Sequence, residues 1–82
     1  MKTLPKAFGD AVQQLRQATE VSQEKFAASA GISRTYMSEI ERGVTNVSLE
    51  TIGKLAEELK VSLPELFTVV ETQRTLPARK RT

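Results

Sequence analysis

The sequence predicts an all-α domain of five helices. One pattern occurs four times: a serine has an apolar residue directly before it and another four positions after it. A serine so placed caps the first turn of a helix by accepting a hydrogen bond from a free N–H, and the two apolar residues pack as a hydrophobic staple. Helices should therefore begin just after these serines. The sets are Val21-Ser22-Phe26, Ile32-Ser33-Met37, Val47-Ser48-Ile52 and Val61-Ser62-Leu66.

Apolar spacing and the caps set the helix boundaries. The first helix is predicted to begin at Pro5 or Lys6 and to end at Ala18, because apolar residues recur there at helical spacing. Ser62 and Glu65 also match a capping box at the start of the last helix. No stretch alternates apolar and polar residues for long enough to predict a strand. The other helices are predicted over residues 23–30, 34–42, 49–59 and 63–70.

Residues 22–43 contain two short amphipathic segments joined by Gly31. Glycine has the backbone freedom that a turn between helices needs, and Ala27 is small where two helices cross closely. Gly43 is expected to end the second segment. A short helix that is buried on one side and rich in donors on the other fits the major groove of DNA. The outward residues of the second segment are Arg34, Thr35, Ser38, Glu39 and Arg42.

A chain of 82 residues is the size of one domain. It has no cysteine and no histidine, which removes disulfides, thiolate chemistry, and the commonest general base and metal ligand. No nucleophile–base or metal constellation is present in the sequence, so we expect no enzymatic activity, no cofactor and no metal. It has neither an apolar run of membrane-spanning length nor a signal peptide, so we expect a soluble cytoplasmic protein without a membrane partner.

The basic character of the chain is concentrated near its C-terminus. The net charge is +2 and the sequence pI is about 9.2. Residues 1–70 hold 8 Lys+Arg and 9 Asp+Glu, whereas residues 71–82 hold four basic residues and one glutamate. We therefore predict a DNA-binding domain over residues 1–70 and a basic, disordered tail over 71–82. Net charge alone does not make the folded part a nucleic-acid binder, so the claim depends on individual side chains.

Several motifs occur in a fixed order along the chain: Ser22-Gln23-Glu24, Phe26-Ala27, Ala30-Gly31-Ile32-Ser33-Arg34, Ile40-Glu41-Arg42-Gly43, Asn46, Ser48-Leu49 and Leu63-Pro64-Glu65-Leu66-Phe67. In these motifs the sequence resembles the Cro and phage-repressor family, also called the XRE family of transcriptional regulators. The resemblance extends over about residues 8–67 and implies a five-helix, phage-repressor-like DNA-binding domain with a helix-turn-helix. Arg34-Thr35-Tyr36 followed by Ile40-Glu41-Arg42 is also similar to restriction–modification controller proteins.

Three positions depart from the family pattern. Gln13 stands where the first helix usually carries an arginine, and the loop 44–47 lacks the proline and the basic residues that are common there. Both changes remove possible phosphate contacts. The glycine common between the first two helices is replaced near Glu20, which should strain that turn.

The resemblance assigns base contacts to the outward face of the third helix. Arg34 would read a base, since a guanidinium binds guanine O6 and N7 in a bidentate manner. Thr35 would offer its hydroxyl or methyl group, or be an ordinary exposed threonine. Ser38 should face the groove. Glu39 would accept from cytosine N4 or repel wrong sequences, and a solvated charge is an equal alternative.

Other residues are expected to bind the DNA backbone or to stabilise the fold. Gln23, at the start of the second helix, would bind a phosphate beside free N–H groups. Arg42 and Asn46 flank the next loop as phosphate contacts, although Asn46 could instead be a turn residue bonded to its own backbone. In the family an arginine such as Arg16 meets a glutamate such as Glu41, and this pair is structural. Tyr36 is expected to pack its ring on the core edge, and a contact of its hydroxyl with the backbone is the alternative.

A homodimer follows from the length of DNA that one helix can read. One recognition helix reads only about three or four base pairs, whereas a two-fold dimer reads two half-sites about 34 Å apart. The predicted dimer interface is an apolar stripe on the fifth helix, part of which must cover the domain's own core, and the whole stripe could be intramolecular. It consists of Leu63, Leu66, Phe67 and Val70.

The predicted function is a homodimeric, sequence-specific regulator of transcription that binds a double-stranded DNA operator. No domain for a small-molecule effector is evident in the sequence. The alternative is a protein-interaction module, such as the antitoxin of a toxin–antitoxin pair. The slightly acidic balance of residues 1–70 favours that alternative somewhat.

Overall fold

A computed structural model describes residues 1–76 of the chain. Over this range the protein forms five α-helices and no strand, which confirms the predicted fold class. The first and last helices differ from the predicted bounds, and the middle three match them. The helices are α1 (Leu4–Ala18), α2 (Gln23–Ala30), α3 (Arg34–Arg42), α4 (Leu49–Leu59) and α5 (Leu63–Thr75).

The four serine caps are confirmed. The hydroxyl of each serine accepts a hydrogen bond from the backbone N–H three residues later, at 3.0–3.2 Å. The capping box also forms, since Glu65 Oε1 accepts from the Ser62 backbone N–H at 2.7 Å. These bonds satisfy N–H groups that a helix otherwise leaves free, so the start of each helix is fixed by its local sequence.

Left-handed residues end three of the helices. Gly31 and Gly43 follow α2 and α3 with φ of 77° and 75°. Lys60 takes the same conformation after α4 with φ of 60°, although the sequence has no glycine there. Glu20 has φ of 62° in the turn between α1 and α2, as expected where the family carries glycine. A left-handed non-glycine residue carries a conformational cost, so tertiary contacts must hold these two turns.

Helix α1 begins earlier and helix α5 ends later than predicted. Thr3 caps α1 by accepting from the Lys6 backbone N–H at 3.3 Å, so the helix starts at Leu4 instead of Pro5 or Lys6. Helix α5 continues to Thr75, beyond the predicted end near Val70. Residues 71–75 are therefore helical and do not belong to a disordered tail. The rest of the predicted tail, residues 77–82, lies outside the described part of the chain.

The N-terminal residues hold the last turns of α5. Lys2 Nζ donates to Asp10 Oδ2 at 2.7 Å and to Gln73 Oε1 at 2.8 Å. The Lys2 backbone N–H also donates to the Arg74 carbonyl at 3.3 Å. These bonds join residues that are distant in sequence, which explains why the helix boundary could not be read from local periodicity.

The core lies where α1 packs against α3 and α5, with α2 and α4 closing it. Gly9 allows the close approach of α1 to α3: a Cβ atom there would contact the Ile40 carbonyl oxygen and lie 2.8 Å from the Glu41 carbonyl oxygen. This packing fixes the position of α3 on the surface. The largest fully buried side chains are Met37, Ile40, Leu55, Leu66, Val12 and Val70.

Candidate nucleic-acid interface

Helix α3 presents one apolar flank to the core and one polar flank to solvent. Met37 and Ile40 are 0% and 1% exposed and anchor the inner flank. Tyr36 is half-buried and packs against the core, as predicted. Because apolar residues three positions apart occupy one side of a helix, the residues between them must face outward.

Five of the predicted DNA-binding residues line one shallow cleft of about 300 Å³. The cleft lies between the start of α2 and the outward flank of α3. Within residues 1–76, neither arginine of this cleft forms an ion pair, so both guanidinium groups are available to an anion. Their side chains are exposed at opposite ends of α3. The lining residues are Gln23, Arg34, Thr35, Ser38 and Arg42.

The two other predicted residues lie outside this cleft. Glu39 is half-buried on α3 and makes no side-chain hydrogen bond within the described range. Asn46 is exposed in the loop between α3 and α4, where it lines separate cavities near Pro5. Its side chain does not bond its own backbone, so the alternative role as a self-bonded turn residue is absent from this structure.

A buried ion pair supports the cleft from beneath. Arg16 Nε and Nη2 donate to Glu41 Oε2 at 2.6 Å and Oε1 at 3.0 Å, which is the structural pair expected from the family. These hydrogen bonds raise the pKa of the Arg16 guanidinium. Gln23 Nε2 also donates to Glu41 Oε1 at 3.0 Å. Sequence reasoning missed this last bond, because nothing local connects residues 23 and 41.

The predicted dimer stripe requires a correction. Leu66 and Val70 are 0% and 1% exposed and belong to the protein's own core, so they cannot contact a partner. Leu63 and Phe67 remain 50% and 39% exposed. Both pairs follow helical spacing, and periodicity alone could not show which pair faces inward.

The exposed side of α5 continues beyond Phe67 as a row of threonines. Thr68 and Thr72 donate their hydroxyls to the carbonyls of Pro64 and Thr68, at 2.8 and 3.0 Å. Thr75 donates to the Glu71 carbonyl at 3.0 Å. These hydroxyls are already bonded and need no partner across an interface, so the row is less polar than its sequence indicates.

An apolar cavity of about 340 Å³ adjoins Phe67. The ring of Phe67 packs against that of Phe8 in a tilted arrangement, with centroids 6.1 Å apart and an angle of 38° between the ring planes. Leu4, at the rim of the cavity, is 57% exposed. The cavity therefore extends the exposed apolar surface of α5 toward the start of α1. Its lining is completed by Pro5, Thr45, Asn46, Val47 and Ile52.

Residues 1–76 contain neither of two other kinds of site. No group of three or more acidic side chains lies together in a way that would hold a metal ion. None of the described helices has the length and apolarity needed to cross a bilayer.

The profile of the helix-turn-helix family HTH_3 matches residues 12–66. The chain belongs to this family, and it is an XRE-type transcriptional regulator, not an enzyme. This confirms the family that the sequence motifs suggested.

Similar proteins include restriction–modification control proteins. The control protein C.MunI of Mycoplasma is 43% identical over 67 residues, which cover 80% of this chain and 90% of that protein. The crystal structure of the controller protein C.AhdI from Aeromonas hydrophila has a TM-score of 0.74 at 43% identity, covering 77% of this chain and 91% of that chain. The controller protein C.Esp1396I, solved as a tetramer with its natural 35-base-pair operator, has a TM-score of 0.80 at 23% identity. It covers 89% of this chain and 96% of that chain, and this likeness concerns the fold alone.

Proposed function

We propose that this protein is a homodimeric, sequence-specific regulator that places α3 in the major groove of a double-stranded operator in the cytoplasm. The observation that carries the proposal is the cleft formed by α2 and α3. Arg34 stands exposed at the capped start of α3, without an ion pair among residues 1–76, and Thr35 and Ser38 lie beside it. The N-terminal residues of a recognition helix are those that contact base edges.

The cleft residues divide into two roles. Arg34, Thr35 and Ser38 would contact base edges, where a bidentate arginine–guanine pair contributes about 1–3 kcal/mol of discrimination. Gln23 and Arg42, at the two sides of the cleft, would bind phosphates and fix the register of α3 along the groove. Glu39 and Asn46 lie outside the cleft, so we assign them the edges of the contact surface.

A second copy of the chain would cover the exposed side of α5. Leu63 and Phe67 are the apolar residues of this side, and the cavity at Phe67 extends it. An isologous two-fold contact uses the same patch on both subunits. To read two half-sites, such a dimer would have to place its two copies of α3 one turn of DNA apart, about 34 Å.

The test begins with random-site selection on the purified protein, which yields its preferred operator. Arg34→Ala should then remove the preference for that operator over random DNA, because the base-reading group is gone. The helical circular-dichroism signal should stay unchanged, since Arg34 is exposed. Electrophoretic mobility shift with both DNAs measures the preference.

The matched control is Lys54→Ala, which removes one positive charge from an exposed site on α4. It should weaken binding to both DNAs slightly and leave the preference intact. If the Arg34→Ala protein is folded and keeps its operator preference, α3 is not the reading helix and the proposal fails.

A further inference from the structure

Gln23 belongs to the cleft and is also hydrogen-bonded to the interior of the protein. It is the first residue of α2 and lines the DNA-facing cleft. Its Nε2 also donates inward to Glu41, whose side chain is buried at the end of α3. The side chain that would bind a phosphate is therefore bonded to the interior of the protein.

Glu41 itself is held from the other side. Arg16 binds both of its carboxylate oxygens, at 2.6 and 3.0 Å. Nη1 of Arg16 donates to the Val21 carbonyl at 2.7 Å, just before the cap of α2. These bonds connect the end of α3 to the start of α2 through one buried carboxylate. We call Arg16, Glu41 and Gln23 the buried network.

The chemistry of the carboxylate fixes how the amide of Gln23 is turned. An ionised carboxylate only accepts hydrogen bonds, so the NH2 end of the amide must face Glu41. One Nε2 hydrogen remains free for a ligand. The backbone N–H groups of Gln23 and Glu24 have no acceptor among residues 1–76. The hydroxyl and the carbonyl of Ser22 accept instead from the N–H groups of Lys25 and Phe26. The free Nε2 hydrogen of Gln23 and these two backbone N–H groups are thus three hydrogen-bond donors at the cleft.

The ion pair also removes an electrostatic conflict. An unpaired carboxylate beneath the cleft would repel a phosphate. Because Arg16 balances its charge, Glu41 can orient the amide without weakening the attraction of the cleft for DNA. This explains how a buried acid can lie directly behind a surface that binds an anion.

We propose that Glu41 is a positioning residue for the DNA backbone: it orients Gln23 toward a phosphate and does not itself contact DNA. The inference depends on the proposed DNA-binding function and deepens it. It predicts that the contribution of Gln23 to operator affinity exists only while the ion pair is present.

A double-mutant cycle on operator affinity tests this. Gln23→Met keeps the length of the side chain and removes its donors, and it should raise the Kd for the operator about tenfold, as expected for a hydrogen bond to a charged group. The second background is Arg16→Met/Glu41→Met, since replacing both members of a buried pair with apolar residues usually preserves folding. There, Gln23→Met should raise the Kd less than about twofold.

Two measurements on one control variant, Arg42→Ala, separate positioning from a structural role. Arg42→Ala should weaken binding by a similar factor in both backgrounds, because Arg42 is not bonded to the network. It should also make the dependence of log K on log salt concentration shallower by about 0.9, whereas Gln23→Met, which removes no charge, should leave that slope unchanged. An equal loss from Gln23→Met in the two backgrounds would overturn the inference.

A measurement on the unmodified chain covers the case in which the apolar background fails to fold. The side-chain NH2 protons of Gln23 should exchange with water more slowly than those of exposed Gln17, and equal rates would overturn the inference. Failure of the proposed function is distinguishable: it would appear as retained operator preference in Arg34→Ala. Failure of this inference alone would leave that Arg34 result intact.

Discussion

Arg16 and Glu41 are the charged residues that the described part of the chain buries, at 8% and 3% exposure. A buried ion pair adds little net stability, because the loss of hydration offsets most of the attraction between its members. Its importance here is geometric. The two side chains and Gln23 place the ends of α2 and α3 relative to each other, and the cleft depends on that arrangement.

Breaking this pair should cost far more than replacing it. Arg16→Ala leaves the Glu41 carboxylate buried without its cation, so we expect a loss of about 3–5 kcal/mol in the free energy of unfolding. Arg16→Met/Glu41→Met should lie much closer to the unmodified chain. Urea titration followed by circular dichroism measures both. Glu71→Gln, which breaks the exposed pair with Arg74, is the control and should leave the midpoint nearly unchanged. If Arg16→Ala and the double replacement are equally stable, the pair has no such role.

At the scale of the elements, the decisive contact is the crossing of α1 and α3. Gly9 lies on the buried face of α1, against the backbone carbonyls at the end of α3. Those carbonyls belong to a helix that the core also anchors, and they cannot move aside as a flexible side chain can. The position of α3, the proposed reading helix, therefore depends on the absence of a side chain at residue 9.

A pair of glycine substitutions tests this contact. Gly9→Ala should lower the free energy of unfolding by about 3 kcal/mol or more, because a Cβ atom would overlap backbone atoms of α3. Gly53→Ala, in α4, meets nothing within 4 Å and should raise it by about 0.5–1 kcal/mol through lower chain entropy. Urea unfolding compares the two variants. A Gly9→Ala protein as stable as the unmodified chain would show that α1 and α3 do not approach this closely.

The link between the N-terminus and α5 predicts a pH dependence. Burial is the largest single influence and raises the pKa of Asp10, but the hydrogen bonds and positive charges of Lys2 and Lys6 together outweigh it and hold the pKa below its ordinary value. Since the folded pKa lies below the unfolded one, ionised Asp10 stabilises the fold above about pH 4, and this contribution is lost as the pH falls through the folded pKa.

Asp10→Asn is the matched variant for this dependence. It should be less stable than the unmodified chain at pH 7, and the difference should shrink as the pH falls below about 4. The midpoints of urea unfolding at pH 7 and below about pH 4 measure this stability difference. Amide hydrogen exchange of residues 72–75 should be faster in the variant. A stability difference that is the same at both pH values would contradict the assigned role of the carboxylate.

At the scale of the whole molecule, dimerisation increases the stability of a small domain and the length of DNA that it can recognise. The exposed apolar side chains on α5 are Leu63 and Phe67, next to a cavity that the single chain leaves open. Arg74 is bonded to Glu71 within the same helix, so its charge is already paired inside the fold. The sequence carries three more cations at residues 79–81, whose charge would add to a long-range attraction to DNA.

If the chain forms the proposed dimer, Leu63→Glu should convert it into a monomer. The substitution buries a charge in the proposed interface, and it should leave the fold intact because Leu63 is half exposed at the first turn of α5, where an acidic residue is favourable. Sedimentation equilibrium over a range of concentrations measures the mass. Gln17→Glu adds the same charge on exposed α1 and should remain dimeric. An unmodified chain that is monomeric throughout would dismiss the interface.

Local features were predictable from the sequence, and contacts across the fold were not. The serine caps and the bounds of α2, α3 and α4 depend on residues that are neighbours in sequence, so the spacing of serines and apolar residues predicts them. The end of α5 depends on Lys2, and the orientation of Gln23 depends on Glu41; both are tertiary bonds. Four of the cleft residues were predictable because they share one flank of α3, and Gln23 because it begins α2. The buried half of the α5 stripe required knowledge of its neighbours.

Gly43 has a consequence for how the proposed DNA binding of this chain could be altered. Its left-handed backbone ends α3, and a Cβ atom there would lie 2.6 Å from the Cα atom of Lys6. The end of α3 is thus held against α1 before the loop over residues 44–47 begins. If α3 reads DNA as proposed, insertions or basic substitutions in that loop would alter contacts to the sugar–phosphate chain without changing the angle of α3.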